Sequence, residues 1–170
     1  MQLLVIRHAI ADDREDFAAS GRDDSERPLT RIGKRRMRRN ARGLARIAPP
    51  ITKIASSPYT RALETAKIVA AELGVKEEEM VTVDALTPEH MSEALLPFLS
   101  TLPPDAAVAI VGHEPHLGRL VTWLMTGSSE SHVMFKKGGA CLLDLGVRPS
   151  AGSAIMQWLL TPGQLRSIAD

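Results

Sequence analysis

The chain begins its first apolar run at Gln2-Leu3-Leu4-Val5-Ile6 and breaks it off abruptly at Arg7-His8. Four aliphatic side chains in a row, bounded by a polar pair, read as a short strand. Much further along, Ala106 to Val111 forms a second continuous apolar run, with Pro103-Pro104 before it and Gly112-His113 after it. That is the pattern of a buried strand, and like the first it stops at a histidine.

Working outward, helical spacing begins near Thr30, where Gly33, Met37, Ala41, Leu44 and Ala48 recur until Pro49-Pro50 ends the pattern. Ile51 to Ala55 reads as a strand. Ser56-Ser57-Pro58 then predicts a helix start, with a serine cap and proline at the first helical position, and Gly74 stops that helix after Leu73. Met80 to Val83 predicts a short strand, and Thr87-Pro88 opens a helix through Leu102 with a kink at Pro97. Another helix starts at Pro115 and carries Leu117, Leu120, Val121 and Leu124 on one face. His132 to Phe135, Ala140 to Leu145 and Ala154 to Leu160 read as short strands separated by glycine turns. Strands alternating with helices imply an α/β fold, a three-layer α/β/α sandwich with a mostly parallel central sheet, in one domain over residues 1–170. Ligands of such sheets bind beyond the C-terminal strand ends. Arg7-His8, Ser57 to Arg61 and His113 all fall there.

Composition narrows the function classes. The 170 residues hold 21 basic and 20 acidic side chains, a net charge of +1, which argues against a partner as uniformly anionic as nucleic acid. That sum conceals two opposed blocks: eight cations and no acid between Arg31 and Arg46, and seven carboxylates between Asp12 and Glu26. No apolar run is long enough to span a bilayer, and the start lacks the pattern of a secretion signal, so no membrane is expected. A single cysteine, Cys141, sits in an apolar run and reads as a buried, inert thiol, which fits a reducing cytoplasm.

Three features together carry chemistry: Arg7-His8 at the end of the first strand, Ser56-Ser57-Pro58-Tyr59-Thr60-Arg61-Ala62 with Glu64-Thr65-Ala66, and Val111-Gly112-His113. In combination, order and spacing they resemble the histidine phosphatase superfamily, over nearly the whole length. Asp24 through Thr30 with Gly33, and Leu86-Thr87-Pro88, are similar to signatures of its small phosphohistidine phosphatase branch. Ala9 departs from the superfamily's usual glycine, which puts the turn behind His8 in question. The resemblance implies a phosphoglycerate mutase-like fold and a phosphoenzyme formed on His8. It also implies phosphate contacts from Arg7, Arg61 and protonated His113. Glu114 is a second departure, a carboxylate beside a site expected to receive phosphate, and it is expected to point away.

The residue types suit that chemistry. Phosphoryl transfer needs cations placed around the peripheral oxygens more than covalent machinery. Arg7 and Arg61 can each present a planar fork of donors, and Arg61 falls in the first turn of its helix, where backbone N–H groups add to the field. Neighbouring guanidinium groups disfavour a second positive charge on His8 and keep the ring available as a nucleophile. Arg27 is a further candidate for phosphate contact, with an ion pair to the carboxylates around it as the alternative.

Glu89 is the nearest candidate for a general acid, but a carboxylate in the first turn of a helix is stabilised in its charged form. A weak acid favours a phosphohistidine substrate, whose imidazole leaving group takes its proton from solvent, over an alkyl phosphate. The expected activity is therefore removal of phosphate from histidine on a signalling or phosphotransfer protein, without metal or cofactor. A small-molecule phosphomonoesterase and a non-catalytic phosphohistidine-binding adaptor are the alternatives.

His113 and His116 have the spacing of a partial metal site, but no third ligand accompanies them. The basic helix lacks interleaved aromatics, so docking of an acidic protein partner suits it better than nucleic acid, with a plain solvated surface as the simpler reading. No heptad or apolar stripe signals oligomerisation, and a monomer is expected.

Overall fold

In the computed structural model, which describes residues 1–170, strand β1 (Gln2–Arg7) sends Leu3 and Val5 to one side of the sheet and Leu4 and Ile6 to the other. Both faces are covered, which is why Leu3 to Ile6 contains no polar residue. The chain continues through α1 (Arg14–Ala18), α2 (Arg31–Ile47), β2 (Lys53–Ser56), α3 (Thr60–Leu73) and β3 (Met80–Thr82). Then follow α4 (Leu96–Ser100), β4 (Ala107–Gly112), α5 (His116–Thr126), β5 (Ala140–Asp144), β6 (Ile155–Leu160) and α6 (Pro162–Ala169). The six strands form one sheet in the order β3-β2-β4-β1-β5-β6. The first four are mutually parallel, and β5 and β6 are antiparallel additions at one edge.

Layering follows from the alternation of side chains. Leu4, Ile6, Ile54, Ala109 and Val111 pack beneath α2, α3 and α6, while Leu3, Val5, Ala55 and Ile110 pack beneath α4 and α5. This is the expected α/β/α sandwich. Helix α2 starts where the Thr30 side chain accepts the Gly33 N–H at 2.8 Å, and its buried stripe includes Met37, Ala41 and Leu44. Gly43 lets α2 approach α6 so closely that a Cβ there would strike the Leu165 carbonyl. No helix is long and apolar enough to cross a membrane.

Four local expectations are corrected. The segment after Thr87 is not one kinked helix. Asp84–Leu86 and Ser92–Leu95 are 3-10 turns, Thr87 to Met91 is irregular, and α4 begins at Leu96 with Pro97 in its first turn. Thr87 Oγ1 bonds His90 Nδ1 at 2.7 Å, a local pairing that competes with helix. Pro97 thus opens a helix, where its missing N–H costs nothing. His132 to Phe135 is not a strand. The Phe135 N–H donates to Glu114 Oε1 at 2.8 Å and its carbonyl accepts from Arg7 at 2.6 Å, so side chains take the place of a ladder.

Helix α3 begins at Thr60 instead of Pro58 and has no side-chain cap. Helices α1 and α6 went unread, although Thr161-Pro162-Gly163-Gln164 forms a capping box with proline in the first turn. A Gly43→Val variant, forced against the α6 backbone, is expected to lose about 2 kcal/mol of stability. Urea unfolding checks this against Gly163→Ala, which meets only open space and the Thr161 hydroxyl at 3.8 Å and is expected to be neutral or slightly stabilising.

Candidate active site

The strand register assembles the site. Arg7 pairs with Gly112 across β1 and β4, and Ser56 pairs with Val111 across β2 and β4. Three strands therefore end together, and the next residues, His8, Ser57 and His113, emerge along one edge. The pairing carries on past the strands, since the His8 N–H reaches the Gly112 carbonyl and the Ser57 N–H the Val111 carbonyl, both at 3.0 Å. All three side chains are buried.

His8 Nδ1 lies 2.7 Å from the Ala9 carbonyl. A carbonyl only accepts, so Nδ1 carries the ring proton and Nε2 keeps its lone pair. Ala9 serves here without strain: no residue other than glycine has a positive φ, and its N–H donates to Thr65 Oγ1 at 3.0 Å. His113 Nε2 pairs with Ser57 Oγ at 2.8 Å, so the serine expected to cap α3 orients this ring instead. The two histidine rings are 5.1 Å apart, and the Tyr59 ring lies 5.0 Å from His113.

Above these rings lies a cavity of about 650 Å³ bordered by Arg7, Arg27, Arg61 and Lys137. The structure thus brings together His8, Arg7, Arg61, His113 and Arg27, the residues that the sequence nominates for phosphate chemistry. Arg7 Nη1 donates to the Phe135 carbonyl, while Arg61 donates to the Asp24 carbonyl at 2.6 Å and to its Oδ2 at 2.9 Å. Arg27 Nε reaches Asp24 Oδ1 at 2.8 Å. Asp24 therefore stands between two guanidinium groups, and Arg27 combines the ion pair with a place on the cavity wall.

Only five buried side-chain nitrogens or oxygens lack a hydrogen-bond partner, and three of them, Arg7 Nε, Arg61 Nε and His113 Nδ1, belong to this site. A buried polar group left unpaired costs about 1 to 3 kcal/mol. Such a cluster suits an anion with several oxygens.

The electrostatics agree. Burial, with the fields of Arg61 and Arg7, pushes the His8 pKa down to about 3, against a rise from its Ala9 bond. Burial, His8 and Arg61 push His113 down to about 2. Both rings are neutral in the free protein. A phosphate dianion reverses that field and favours the protonated His113 that the family resemblance implies.

The carboxylates sort differently. Glu89 lies in the irregular segment and not in a helical first turn, contrary to expectation; its Oε1 accepts from the Tyr59 hydroxyl at 2.9 Å. Burial opposes its ionisation, but hydrogen bonds from Tyr59, its own backbone and Thr87 outweigh burial and hold it below the ordinary value. Glu114 borders the cavity, but its Oε1 accepts the Phe135 N–H. Its pKa is raised by burial, against that bond.

Lys137 was missed in the sequence. Its signal was Lys136-Lys137-Gly138-Gly139: Gly138, at φ 78°, directs its N–H to the Arg7 and His8 carbonyls at 3.1 Å. That contact brings the lysine to the cavity.

Known proteins match this arrangement. Residues 3–95 fit the family model described as the histidine phosphatase superfamily, branch 1, and the chain belongs to that superfamily. Its members are phosphatases, which makes this protein a hydrolase of that class. Within the superfamily it falls in the SixA-like branch. It is 28% identical over 168 residues to the phosphohistidine phosphatase SixA of Escherichia coli, covering 98% of this chain and 97% of that one. An uncharacterized protein of Picosynechococcus sp. is 35% identical over 154 residues, 89% of this chain and 87% of that protein. The solved structure of the protein histidine phosphatase SixA complexed with tungstate superposes with a TM-score of 0.81 at 27% identity, covering 97% and 99% of the two chains.

The buried histidines set an acid limit on stability. His8, His113 and His116, whose folded pKa values lie at about 3, 2 and 4, bind no proton near pH 6, whereas the unfolded chain titrates near 6.5. The unfolded state therefore gains protons first as pH falls. Stability is full above about pH 6.5 and declines below it, by about 1.4 kcal/mol per pH unit for each histidine. Urea unfolding between pH 6 and 5 is expected to show this slope, reduced by about one proton in His8→Asn.

Proposed function

We propose that this protein removes phosphate from a phosphohistidine carried by a signalling or phosphotransfer protein, with His8 as nucleophile. The observation that carries the nucleophile is the His8 tautomer: Nδ1 is tied to the Ala9 carbonyl, which leaves Nε2 to attack. In the first step Nε2 forms a bond to phosphorus while the phosphorus bond to the substrate imidazole breaks. The departing imidazole takes a proton from solvent. Water then attacks the phosphorus on His8, releasing inorganic phosphate and restoring neutral His8. Arg7, Arg61 and protonated His113 hold the peripheral oxygens through donors that are unpartnered in the free site, and this fixed positive charge supplies what a metal supplies elsewhere.

The leaving group decides between substrate classes. Asp24 is engaged by Arg27 and Arg61, and Asp13 caps α1. Glu89 is held as a carboxylate and Glu114 accepts a backbone N–H. Asp13, Asp24 and Glu89 are held as carboxylates and are poor proton donors, and Glu114, the one carboxyl of the four that burial makes easier to protonate, is engaged by the backbone N–H groups of Phe135 and Gly118, which favours an imidazole over an alkoxide. Asp12 borders the cavity without a side-chain partner, and a phosphomonoester reading would rest on it. The relative named as a phosphohistidine phosphatase and the solved protein histidine phosphatase support the first reading, as does a cavity whose volume of about 650 Å³ exceeds that of a phosphoryl group.

Two experiments test this. His8→Ala is expected to abolish hydrolysis and the acid-labile phosphate that brief incubation leaves on the native enzyme. Arg61→Gln, which removes a transition-state donor, is expected to lower kcat/KM by about 10² to 10³. In the second experiment, a phosphorylated phosphotransfer domain is compared with alkyl phosphates. Faster turnover of an unactivated alkyl ester, lost in Asp12→Asn, would transfer the assignment to the phosphomonoesterase.

A further inference from the structure

Helix α2 carries eight cations, and the fold engages four of them. Lys34 pairs with Glu64 at 2.6 Å, Arg39 with Asp170 at 2.7 Å and Arg42 with Glu72 at 3.3 Å, while Arg46 donates to the Ile168 carbonyl at 2.5 Å. The acidic loop from Asp12 to Glu26 does not neutralise this helix: its Asp24 is committed to Arg14, Arg27 and Arg61. Among the four cations left over, Arg36 differs in its surroundings. It opens onto a notch of about 60 Å³ beside the catalytic cavity, lined also by Asn40, Lys137 and Arg166.

No carboxylate lines this notch, whereas five carboxylates stand among the five arginines and lysines of the catalytic cavity. Arg36 and Arg166 have no carboxylate partner, and Lys137, which faces Asp13 on its other side, adds a third positive charge; like charges around a small space repel one another, and an anion relieves the repulsion. Hydrogen bonds tie the framework behind them together. Asn40, 2% exposed, donates from Nδ2 to the Gly138 carbonyl at 3.0 Å and accepts Arg166 Nη1 on Oδ1 at 3.1 Å. Arg166 is thereby held in place, and Gly138 adjoins Lys137. Ile10 and Lys137 border both spaces, so an anion in the notch lies one side chain away from the phosphoryl site. The notch is small beside the catalytic cavity, which suits the end of a side chain better than a second substrate.

We propose that Arg36, Lys137 and Arg166 form a second anion subsite that receives an acidic side chain of the substrate protein, one that flanks its phosphohistidine. The choice of a protein carboxylate rests on the phosphohistidine reading above; the subsite itself does not.

Two measurements separate these levels. Inorganic sulfate is titrated into the intact protein while the arginine Nε–H signals are followed by NMR. Arg7 and Arg61 are expected to respond first, and Arg36 and Arg166 in a second, weaker saturation that Arg36→Gln removes. Signals of Arg36 and Arg166 that stay still, or that follow the first saturation, would overturn the subsite. Next, kcat/KM is measured for a phosphotransfer domain whose phosphohistidine has an acidic neighbour and for phosphoimidazole. The ratio of the two is expected to fall about tenfold in Arg36→Gln and further in Arg36→Glu, and to fall similarly when the partner's acidic residue is neutralised. An unaltered ratio removes the protein carboxylate as occupant. If the native enzyme hydrolyses neither compound, the phosphohistidine reading and the protein occupant fail together, while the sulfate titration still decides the subsite.

Discussion

The parallel pairing of β1, β4 and β2 is the constraint on which the site depends. Backbone hydrogen bonds set Arg7 opposite Gly112 and Ser56 opposite Val111, and no side chain on the solvent side is needed to bring His8, Ser57 and His113 together. A shift of one residue in either pair would exchange the side chains of a strand between the two packed layers, against the fit of both. Leu3 to Ile6 and Val108 to Val111 are fully buried on both faces, so hydrophobic burial guards the register that the chemistry requires. The site inherits its geometry from the core.

Upon this frame the protein concentrates positive charge where water is scarce. Arg61 and Arg27 are kept tolerable by Asp24, and Arg7 by the Phe135 carbonyl and the nearby Glu114. Burial, assisted by the same charge, holds His8 neutral and therefore nucleophilic, while the Ala9 carbonyl selects which nitrogen bears the lone pair. Partial neutralisation is the essential feature. Full pairing would leave no donor for a ligand, and none at all would make the empty cavity too costly.

Much of this was legible beforehand, in particular stretches and for definite reasons. The LLVI and AVAIV runs are strands because uninterrupted aliphatic sequence of that length has few other uses, and Arg31 to Ile47 is a helix because its apolar stripe, the Thr30 cap and the following prolines agree. The segment after Thr87 was misread because a threonine and a proline resemble a helix start, whereas the Thr87 hydroxyl engages His90 in a turn. His132 to Phe135 was misread because its hydrogen bonds go to Glu114 and Arg7, partners distant in sequence. Lys137 was missed because it reaches the cavity only through the contact of Gly138 with the first strand.

The amino-acid sequence by itself determined the α/β class and the positions of the main strands along the chain, and it nominated the principal site residues. It could do so because periodicity, caps and motif spacing are local properties, and Arg7, His8, Arg61 and His113 all lie just beyond local landmarks. Only the tertiary structure decided the His8 tautomer, the pairing of Ser57 with His113, the placement of Asp24 between two arginines, and the division of the α2 cations into paired and unpaired. Most of these depend on residues tens of positions apart meeting at hydrogen-bond distance, and even the His8–Ala9 bond sits in a turn that Thr65 anchors from a distant helix; folding alone establishes that proximity.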